Sequence, residues 1–357
     1  MTAVLGIETS CDETSVALLA GDGRVLGSAV ASQFEAHGRY GGIVPEIAAR
    51  AHLTNLPPLL EDVLDQAKAS LPDVTLVAAT AGPGLVGALL VGLSEGKGLA
   101  MGLGVPFVAA HHIEAHALSP FLDFPGGPAR PVPDDFAALV VSGGHTHLYR
   151  FTGGRISLLA RTRDDAAGEA FDKVAKMAGL GYPGGPAVDA LAARGRAAAP
   201  FAVPRFSDRS FDLSFSGLKT AVKERLKALG VAPQTGVPEA VKTRSVESAP
   251  ASLADLAADF QEAVVAQLED RLSLVEDRHP FSLLTVSGGV SANSLLRARL
   301  SAWGRARGVE VLLASKALTG DNAVMVAFAG LVRFRSGKPG EGLSAPARSR
   351  WPLESLE

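Results

Sequence analysis

The sequence has 357 residues, of which 47% are hydrophobic, and this length predicts two domains of roughly 150 residues, each with its own core. Because the net charge is −3, the chain as a whole does not attract nucleic acid, so any contact with RNA requires a local positive patch or a partner. The single cysteine, Cys11, excludes an internal disulfide and a cysteine-based zinc site.

The first third of the chain alternates between strand and helix patterns. Short apolar segments bounded by glycine or polar residues predict strands, and apolar residues three and four positions apart predict helices. The result is a three-stranded meander followed by helix, strand, helix and strand, which is typical of an α/β domain with a helix-covered sheet. The predicted strands are residues 4–8, 15–20, 25–31, 74–79 and 105–110, and the predicted helices are residues 45–68 and 85–101.

A segment rich in proline and glycine, residues 120–135, predicts a linker, after which the same plan begins again. Three strands separated by turns and followed by helices indicate a duplicated domain, with a cleft between the two copies. Within the second copy, the polar and proline-containing residues 231–252 predict a mobile loop. The predicted strands are residues 136–141, 147–151 and 156–161, and the predicted helices are residues 167–177, 217–229, 253–276, 292–307 and 323–334.

Two Ser-Gly-Gly sequences each end an apolar run, at residues 142–144 and 287–289. Glycines after a buried strand leave backbone N–H groups bare and let a ligand approach, which favours a nucleotide-like ligand. Residues 82–87 match G-x-G-x-x-G, but the acidic residue expected about 20 positions later is absent, which favours a tight strand-to-helix turn. The glycines and prolines of residues 181–186 predict another turn, dense enough in glycine for the backbone to approach a ligand.

The titratable residues suggest two kinds of site. Residues 8–14 place three carboxylates and three hydroxyl groups between two strands, which favours a metal–phosphate ligand or a general base over a merely solvated turn. His112 and His116 share one face of a helix, so they either hold a metal or are incidental polar residues. A metallopeptidase of the HExxH type requires glutamate directly after the first histidine, where this chain has Ile113, and this disfavours that class.

One basic region stands out on and before the predicted helix at residues 217–229. Such a cluster indicates either a solvated helix face or a surface for anions. Its members are Arg205, Arg209, Lys219, Lys223, Arg225 and Lys227.

The order of these motifs resembles the TsaD family (formerly called Gcp, or glycoprotease), the tRNA N6-adenosine threonylcarbamoyltransferases. The resemblance implies an α/β fold of two duplicated actin-like, sugar-kinase and Hsp70-like ATPase domains with a nucleotide cleft between them. We therefore expect an N-terminal subdomain of residues 1–122, completed by a C-terminal helix at residues 322–345, and a second subdomain of residues 134–321. The matching segments are residues 7–14, 82–92, 112–116, 141–146, 168–176, 182–186, 214–220, 286–293, 321–322 and 350–353.

The resemblance also implies a reaction. The threonylcarbamoyl group would pass from threonylcarbamoyl-AMP to N6 of the adenosine 3′-adjacent to the anticodon, in tRNAs reading codons that begin with adenine, and AMP would leave. An ATP-dependent kinase or ATPase of the same fold, a metallopeptidase and a scaffold subunit without chemistry are the alternatives. A kinase or ATPase would turn over ATP without needing His112. A scaffold subunit is disfavoured because the candidate site residues are intact, namely Asp12, His112, His116 and Asp321.

The family's functional positions carry over onto this chain. One divalent metal would be held by His112, His116 and Asp321, and two histidines with one carboxylate favour Fe²⁺, with Zn²⁺ possible. His111 stands where the family commonly has asparagine, and Ala115 where it commonly has glycine. Although His111 offers a second possible pair, we favour His112 and His116 because their spacing is preserved. We hypothesise that Asp12 or Glu13 accepts the proton from the attacking N6. The donor-binding positions are Val140, Val141, Ser142, Gly143, Gly144, Asp172, Gly185, Asp189 and Asn293.

The implied partners are tRNA, threonylcarbamoyl-AMP or ATP and ADP in the cleft, a TsaB-like paralogue that forms a heterodimer, and a TsaE-like ATPase. The N-terminus has no basic segment followed by an apolar stretch, and no unbroken run of about 18 apolar residues occurs. We therefore expect a soluble, cytoplasmic protein with no membrane contact.

Overall fold

The computed structural model describes residues 2–34, 37, 43–204, 206–208, 210–234 and 245–356. Their internal contacts divide the chain into two compact units. Unit 1 is formed by the described residues of Met1–His37, Gly42–Pro133 and Ala314–Glu357, and unit 2 by those of Asp134–Leu313. Residues 235–244 of the predicted mobile loop lie outside the described residues, as do Arg205 and Arg209 of the basic region.

Unit 1 contains a five-stranded sheet with the strand order β3-β2-β1-β4-β5. Strand β1 is buried along its whole length, antiparallel to β2 and parallel to β4. The strands are β1 (Ala3–Glu8), β2 (Glu13–Ala20), β3 (Val25–Ser32), β4 (Leu76–Gly82) and β5 (Phe107–His111), and the helices are α1 (Pro45–Ala67), α2 (Val86–Leu103), α3 (His112–Leu118) and α9 (Ala323–Arg335).

The two faces of this sheet are covered by different helices, as the alternation of side chains along β1 requires. Leu5 and Ile7 belong to a core cluster that also includes side chains of α1 and α2. Gly6 faces the other way, and a Cβ there would lie 2.3 Å from the carbonyl oxygen of Ala323, so α9 packs directly against the backbone of β1. The close approach of α9 brings the residues just before it, including Asp321, to the end of β1.

Unit 2 repeats the arrangement with a five-stranded sheet of order β10-β9-β6-β7-β8. Strand β6 is antiparallel to β7 and parallel to β9, as β1 is to β2 and β4. The predicted duplication is therefore confirmed at the level of strand order and direction. The strands are β6 (Asp135–Val141), β7 (Thr146–Thr152), β8 (Arg155–Arg161), β9 (Leu283–Ser287) and β10 (Glu310–Leu313), and the helices are α4 (Ala167–Ala178), α5 (Gly184–Ala192), α6 (Ser216–Ala228), α7 (Ala251–Arg278) and α8 (Ser294–Arg307).

Two local predictions were wrong. The segment predicted as a turn at residues 181–186 starts helix α5 at Gly184, because the carboxylate of Asp172 accepts a hydrogen bond from the Gly184 N–H and caps the first turn. The helix predicted from residue 292 begins at Ser294, because Asn293 is its N-cap and a short 3₁₀ turn, Gly289–Ala292, precedes it.

Helix α2 is the one helix in the described part of the chain that is long and apolar enough to cross a membrane, by length and composition only. Core helices of soluble proteins pass the same test, and α2 packs against β4 and α1. A single helix of this kind is weak evidence, and the expectation of a cytoplasmic protein without membrane contact stays a prediction.

The basic region is less positive than its residues suggest. Within the described residues, Lys219 pairs with Asp165, Arg225 with Asp259 and Lys227 with Glu224. These carboxylates neutralise three of the cations that the sequence places on α6, which favours the interpretation of a paired helix face over an anion-binding surface.

Candidate functional site

The acidic turn of unit 1 follows β1 and is largely buried. The carboxylate of Glu8 is completely buried and accepts hydrogen bonds from the Ser10 N–H, the Thr80 hydroxyl at 2.7 Å and the His112 ring at 3.1 Å. Asp12 is 7% exposed. A solvated turn would leave these carboxylates in water, so that alternative is wrong for this chain.

Helix α3 begins immediately after β5 and carries the predicted histidine pair. His112 donates from Nδ1 to the Glu8 carboxylate, which turns Nε2 of the ring toward Asp321. This Nε2 lies 3.4 Å from Oδ1 of Asp321, and Nε2 of His116 lies 3.0 Å from the same oxygen. The predicted metal-binding residues therefore come together within unit 1.

The donor set fits a divalent metal. One ligand atom each from His112, His116 and Asp321 lies within 4.8 Å of the other two. A ring lone pair of His112 facing a carboxylate oxygen is repulsive unless a proton or a cation lies between them. In addition, Nδ1 of His116 is buried and has no hydrogen-bond partner among the described residues. Two imidazoles and one carboxylate are ligands that Fe²⁺ and Zn²⁺ both accept.

His111 is excluded as a ligand by its own hydrogen bonds. Its Nδ1 accepts from the backbone N–H groups of Ile113 and Glu114 at 3.1 and 3.4 Å, and its Nε2 donates to the carbonyl oxygen of Trp351 at 2.9 Å. Both ring nitrogens are therefore engaged. These contacts support the preference for His112 and His116, which stays a prediction.

Burial and mutual repulsion shift the pKa values of this cluster. Burial, together with the negative charges of Asp321 and Asp12, raises the pKa of Glu13 to about 8. Burial and Asp321 likewise raise the pKa of Asp12. Burial alone would lower the pKa of His112, but the carboxylates of Asp321 and Glu8 outweigh it and raise the pKa to about 9. The cluster retains protons when no metal is bound, as expected for several carboxylates that share one small volume.

The two candidate proton acceptors differ in their partners. Glu13 accepts a hydrogen bond from the Asp321 N–H at 3.2 Å. One carboxylate oxygen of Asp12, Oδ2, is buried and has no hydrogen-bond partner among the described residues. A buried lone pair without a donor is available to accept a proton, so the geometry favours Asp12 over Glu13.

His52 is a site residue that the sequence analysis missed. It is buried on α1, its Nε2 donates to the Cys11 carbonyl at 3.1 Å, and its Nδ1 lies 2.8 Å from the Thr14 hydroxyl. These two hydrogen bonds hold the acidic turn against α1. The signal was present in the sequence, because His52 lies in an apolar helical stripe with Ala48 and Leu56 four residues to either side.

Glu114, the residue nearest to a metallopeptidase glutamate, has a different role. Its carboxylate is buried and lies 3.3 Å from the guanidinium of Arg333 on α9. A glutamate held in a buried ion pair is not available as a general base for water, so the geometry adds to the argument against a metallopeptidase.

In unit 2, the first Ser-Gly-Gly loop follows β6 and leaves its glycines open. The loop is held by hydrogen bonds between Ser142 and His145 and from the Gly168 N–H to the Ser142 carbonyl. No atom lies within 4 Å of where a Cβ would stand at Gly143 or Gly144, and neither N–H donates a hydrogen bond among the described residues. Val140 and Val141, at the end of β6, are buried.

The second Ser-Gly-Gly loop lies beside the first, because β6 and β9 are parallel neighbours with Val140 opposite Ser287. Gly288 has φ +87°, and a Cβ there would lie 2.4 Å from the Val141 carbonyl oxygen. Glycine is required at this position for the two strand ends to meet. The two loops are thus adjacent but arise from non-equivalent strands, as the chain order suggests.

The remaining donor-binding predictions lie at the starts of helices α5 and α8 or bond to them. Asp172 on α4 caps α5, and Asp189 on α5 accepts from the Ser294 hydroxyl at 2.7 Å and from the Asn293 amide at 3.2 Å. Asn293 also caps α8 through Leu296. Gly185 lies in the first turn of α5 with open space where a side chain would stand.

Comparison with known proteins identifies the family that the motifs of the sequence resemble. A model of the TsaD family, tRNA N6-adenosine threonylcarbamoyltransferase, matches residues 24–328. The enzyme of that name from Geobacter sulfurreducens is 46% identical over 355 residues, covering 99% of this chain and 98% of the relative. The one from Granulibacter bethesdensis is 45% identical over 361 residues, covering 99% and 94%.

A solved structure shows the same fold. The (R)-2-hydroxyglutaryl-CoA dehydratase component A from Acidaminococcus fermentans superimposes with a TM-score of 0.51 at 13% identity, covering 94% of this chain and 99% of that one. At this identity the likeness concerns the fold alone. Together with the duplicated sheets, it confirms the predicted α/β fold class.

Proposed function

The chain belongs to the TsaD family, and from this premise we propose that it transfers the threonylcarbamoyl group of threonylcarbamoyl-AMP to N6 of the adenosine 3′-adjacent to the anticodon, in tRNAs reading codons that begin with adenine. The observation that carries the proposal is the close relationship, 46% identity over 99% of the chain, to a transferase of that name. No contact among the described residues favours the kinase or the peptidase alternative.

The reaction forms one bond and breaks one. N6 of the adenosine attacks the carbamoyl carbon, the bond from this carbon to the phosphate oxygen breaks, and AMP leaves. Oδ2 of Asp12 takes the proton that N6 loses, which is consistent with its buried position without a hydrogen-bond donor. Glu13 remains the second choice, since the Asp321 N–H occupies one of its oxygens.

Donor binding is assigned to unit 2. The open N–H groups of Gly143 and Gly144 are suited to phosphate oxygens, and Val140, Val141 and Ser142 place them at the end of β6. The carboxylates of Asp172 and Asp189 and the amide of Asn293 are assigned to the rest of the donor, and Gly185 has open space where a side chain would stand. These groups would hydrogen-bond the ribose, the adenine or the threonyl part. Hydrogen bonds at the starts of α5 and α8 hold Asp172, Asp189 and Asn293 in rigid positions.

The cluster of His112, His116 and Asp321 would hold one divalent metal, with Fe²⁺ favoured and Zn²⁺ second. Such an ion supplies positive charge for the carbamoyl group or for the phosphate that leaves. Glu8 keeps His112 in the tautomer that leaves Nε2 free for the metal.

The proposal includes partners and a compartment. tRNA is the acceptor, and with a net charge of −3 the chain alone should bind tRNA weakly. A TsaB-like paralogue in a heterodimer and a TsaE-like ATPase would complete the activity in the cytoplasm. Tight binding of tRNA by the isolated chain at physiological salt would contradict this part.

The test is transfer of labelled threonylcarbamoyl from its adenylate to unmodified tRNA, with the TsaB-like and TsaE-like proteins present or omitted. We expect label in the tRNA of the complete mixture, and loss of it for His112→Ala. The matched control is His279→Ala, an exposed histidine at the end of α7, which should transfer normally. If no combination labels the tRNA, the proposed function is wrong.

A further inference from the structure

The C-terminal segment, residues 345–353, runs over the end of the unit 1 sheet and is fastened at several points. Lys97 on α2 donates to the carbonyl of Ala345 at 2.6 Å, and the Arg348 N–H donates to the Ala81 carbonyl on β4 at 2.7 Å. At its far end Leu353 is 1% exposed. The segment is thus an integral part of unit 1 although it has almost no regular secondary structure.

His111 connects this segment to the helix that carries the metal-binding histidines. Its ring lies 4.8 Å from the ring of Trp351, measured between centroids, and its Nε2 donates to the Trp351 carbonyl at 2.9 Å. Arg348 also contacts the indole, with its guanidinium carbon 4.6 Å from the ring centre. The side chain of His111 is completely buried in this contact.

The same ring also begins helix α3. Nδ1 of His111 accepts hydrogen bonds from the N–H groups of Ile113 and Glu114, two of the donors that a helix start leaves unsatisfied. Helix α3 has seven residues, too few to be stable without external support. One imidazole therefore fixes both the start of α3 and its contact with the C-terminal segment.

We propose that His111 is a positioning residue for the metal site, and that it acts by tying the first turn of α3 to the C-terminal segment. The inference rests on the proposed metal role of His112, His116 and Asp321. His112 is the first residue of α3, and its two ring nitrogens must face Glu8 and Asp321 together. A small rotation of the first turn would break one of these contacts, so the orientation of His111 is transmitted directly to a ligand.

The experiment measures Co²⁺ binding to the purified full-length chain, with no tRNA or donor, by the visible absorption of the bound ion. We expect His111→Ala to lower Co²⁺ affinity about tenfold or more, as removal of a group that orients a ligand commonly does. His111→Asn keeps an oxygen that can cap α3 but has no group that reaches the Trp351 carbonyl. Its Co²⁺ affinity should therefore lie between that of the wild type and that of His111→Ala. His116→Ala, which lacks a ligand, identifies the site that gives the spectrum.

Trp351→Ala tests the link to the C-terminal segment. It keeps the main-chain carbonyl but removes the ring contact, so Co²⁺ affinity should fall less than in His111→Ala. In the double variant His111→Ala/Trp351→Ala the effects should not add, because both act through one contact. Full additivity would overturn the proposed path through Trp351.

The control for general destabilisation is Val63→Ala, which removes two buried methyl groups from α1, away from α3. It should lower the melting temperature while leaving Co²⁺ affinity within about twofold, well inside the tenfold expected of an orienting residue. The proposal fails if His111→Ala binds Co²⁺ like the wild type, or if Val63→Ala loses as much affinity. Failure of the proposed function is separate, since it would appear as a wild-type chain that binds Co²⁺ but labels no tRNA.

Discussion

The turn between β1 and β2 and the turn between β6 and β7 occupy the same place in two sheets of identical topology, yet their chemistry is opposite. The first carries buried carboxylates, and the second carries glycines with bare backbone N–H groups. A carboxylate cluster suits a cation or a proton, whereas bare N–H groups suit an anion. The duplicated fold therefore contains two equivalent turns, and the residues in each turn determine whether it suits a cation or an anion.

A second pair of equivalent positions, the ends of β4 and β9, teaches a related lesson. Residues 82–87 look more like a nucleotide motif than residues 287–289 do. However, a Cβ at Gly82 would lie 2.2 Å from the Arg348 carbonyl oxygen, and one at Gly84 would lie 2.6 Å from the Ser10 carbonyl oxygen. Protein backbone fills the space that a phosphate would need. At the end of β9 the first glycine, Gly288, is also filled, by the Val141 carbonyl, but the space at the next one, Gly289, is open.

The largest effect on transfer should come from replacing the Asp12 carboxylate in the acidic turn. Asp12→Asn keeps the size of the side chain but cannot accept a proton, so transfer to tRNA should fall by about 10²- to 10⁴-fold. Donor binding, assigned to unit 2, should stay unchanged. Single-turnover transfer and equilibrium binding of the adenylate measure the two properties separately.

The control for this change is Asp22→Asn, a carboxylate at the turn after β2 that pairs with Arg24 at the surface. It should transfer normally. Full activity of Asp12→Asn would move the proton acceptor to Glu13, whose Glu13→Gln variant should then show the loss.

The filled and open glycines at the ends of β4 and β9 should differ in stability. Gly82→Ala would place a Cβ against Arg348 with φ at +152°, and we expect it to lower the free energy of unfolding by about 3 kcal/mol. Gly289→Ala meets no atom within 4 Å and should change it by less than about 0.5 kcal/mol. Urea unfolding of the two variants measures these changes. Equal losses of unfolding free energy would refute the distinction between the filled Gly82 and the open Gly289.

Much of this fold could be predicted from the sequence, because strands buried on both faces appear as short, continuous apolar runs. The parts that could not be predicted depend on distant contacts. Helix α5 starts with Gly-Gly-Pro, a turn signal, and exists there because Asp172 caps it from another helix. Strand β10 has four half-buried or exposed residues, too few for a clear pattern.

The site divides in the same way. The spacing of His112 and His116 is local and could be read from the sequence, as could the glycines of residues 142–144. The role of Glu8 depends on its contact with His112, 104 positions away, and that of His111 on Trp351, 240 positions away. No periodic pattern encodes such pairs. They follow only from the packing of β1, β5 and the C-terminal segment.

The acidic turn should also make the metal-free protein less stable as pH rises. Glu13, with its pKa raised to about 8, and His112, with its pKa raised to about 9, both bind protons more tightly folded than unfolded. Between the ordinary pKa of each group and its raised value, the folded state therefore holds the extra proton. Stability falls across this window, by at most about 1.4 kcal/mol per proton and pH unit.

Urea unfolding of chelator-treated protein from pH 7 to 9 measures this dependence, because the lowered pKa values of His116 and His52 act in the opposite direction only at lower pH. Saturating Zn²⁺ should flatten it, because a divalent cation replaces the protons that the cluster retains. A stability that rises with pH in the metal-free protein would contradict the assignment of retained protons to the acidic turn.

The smallest effect tests the glycine turn itself. Gly144→Val adds a side chain where no atom lies within 4 Å, so unit 2 should fold normally. The new methyl groups would nevertheless stand where a phosphate approaches the bare N–H groups, and affinity for the adenylate should fall about tenfold, or 1.4 kcal/mol. Gly102→Val on α2, equally open, serves as the control and should bind donor normally. If Gly144→Val also binds the adenylate normally, the phosphate lies elsewhere. The turn between β6 and β7 would then not be an anion site, and its contrast with the acidic turn would fail.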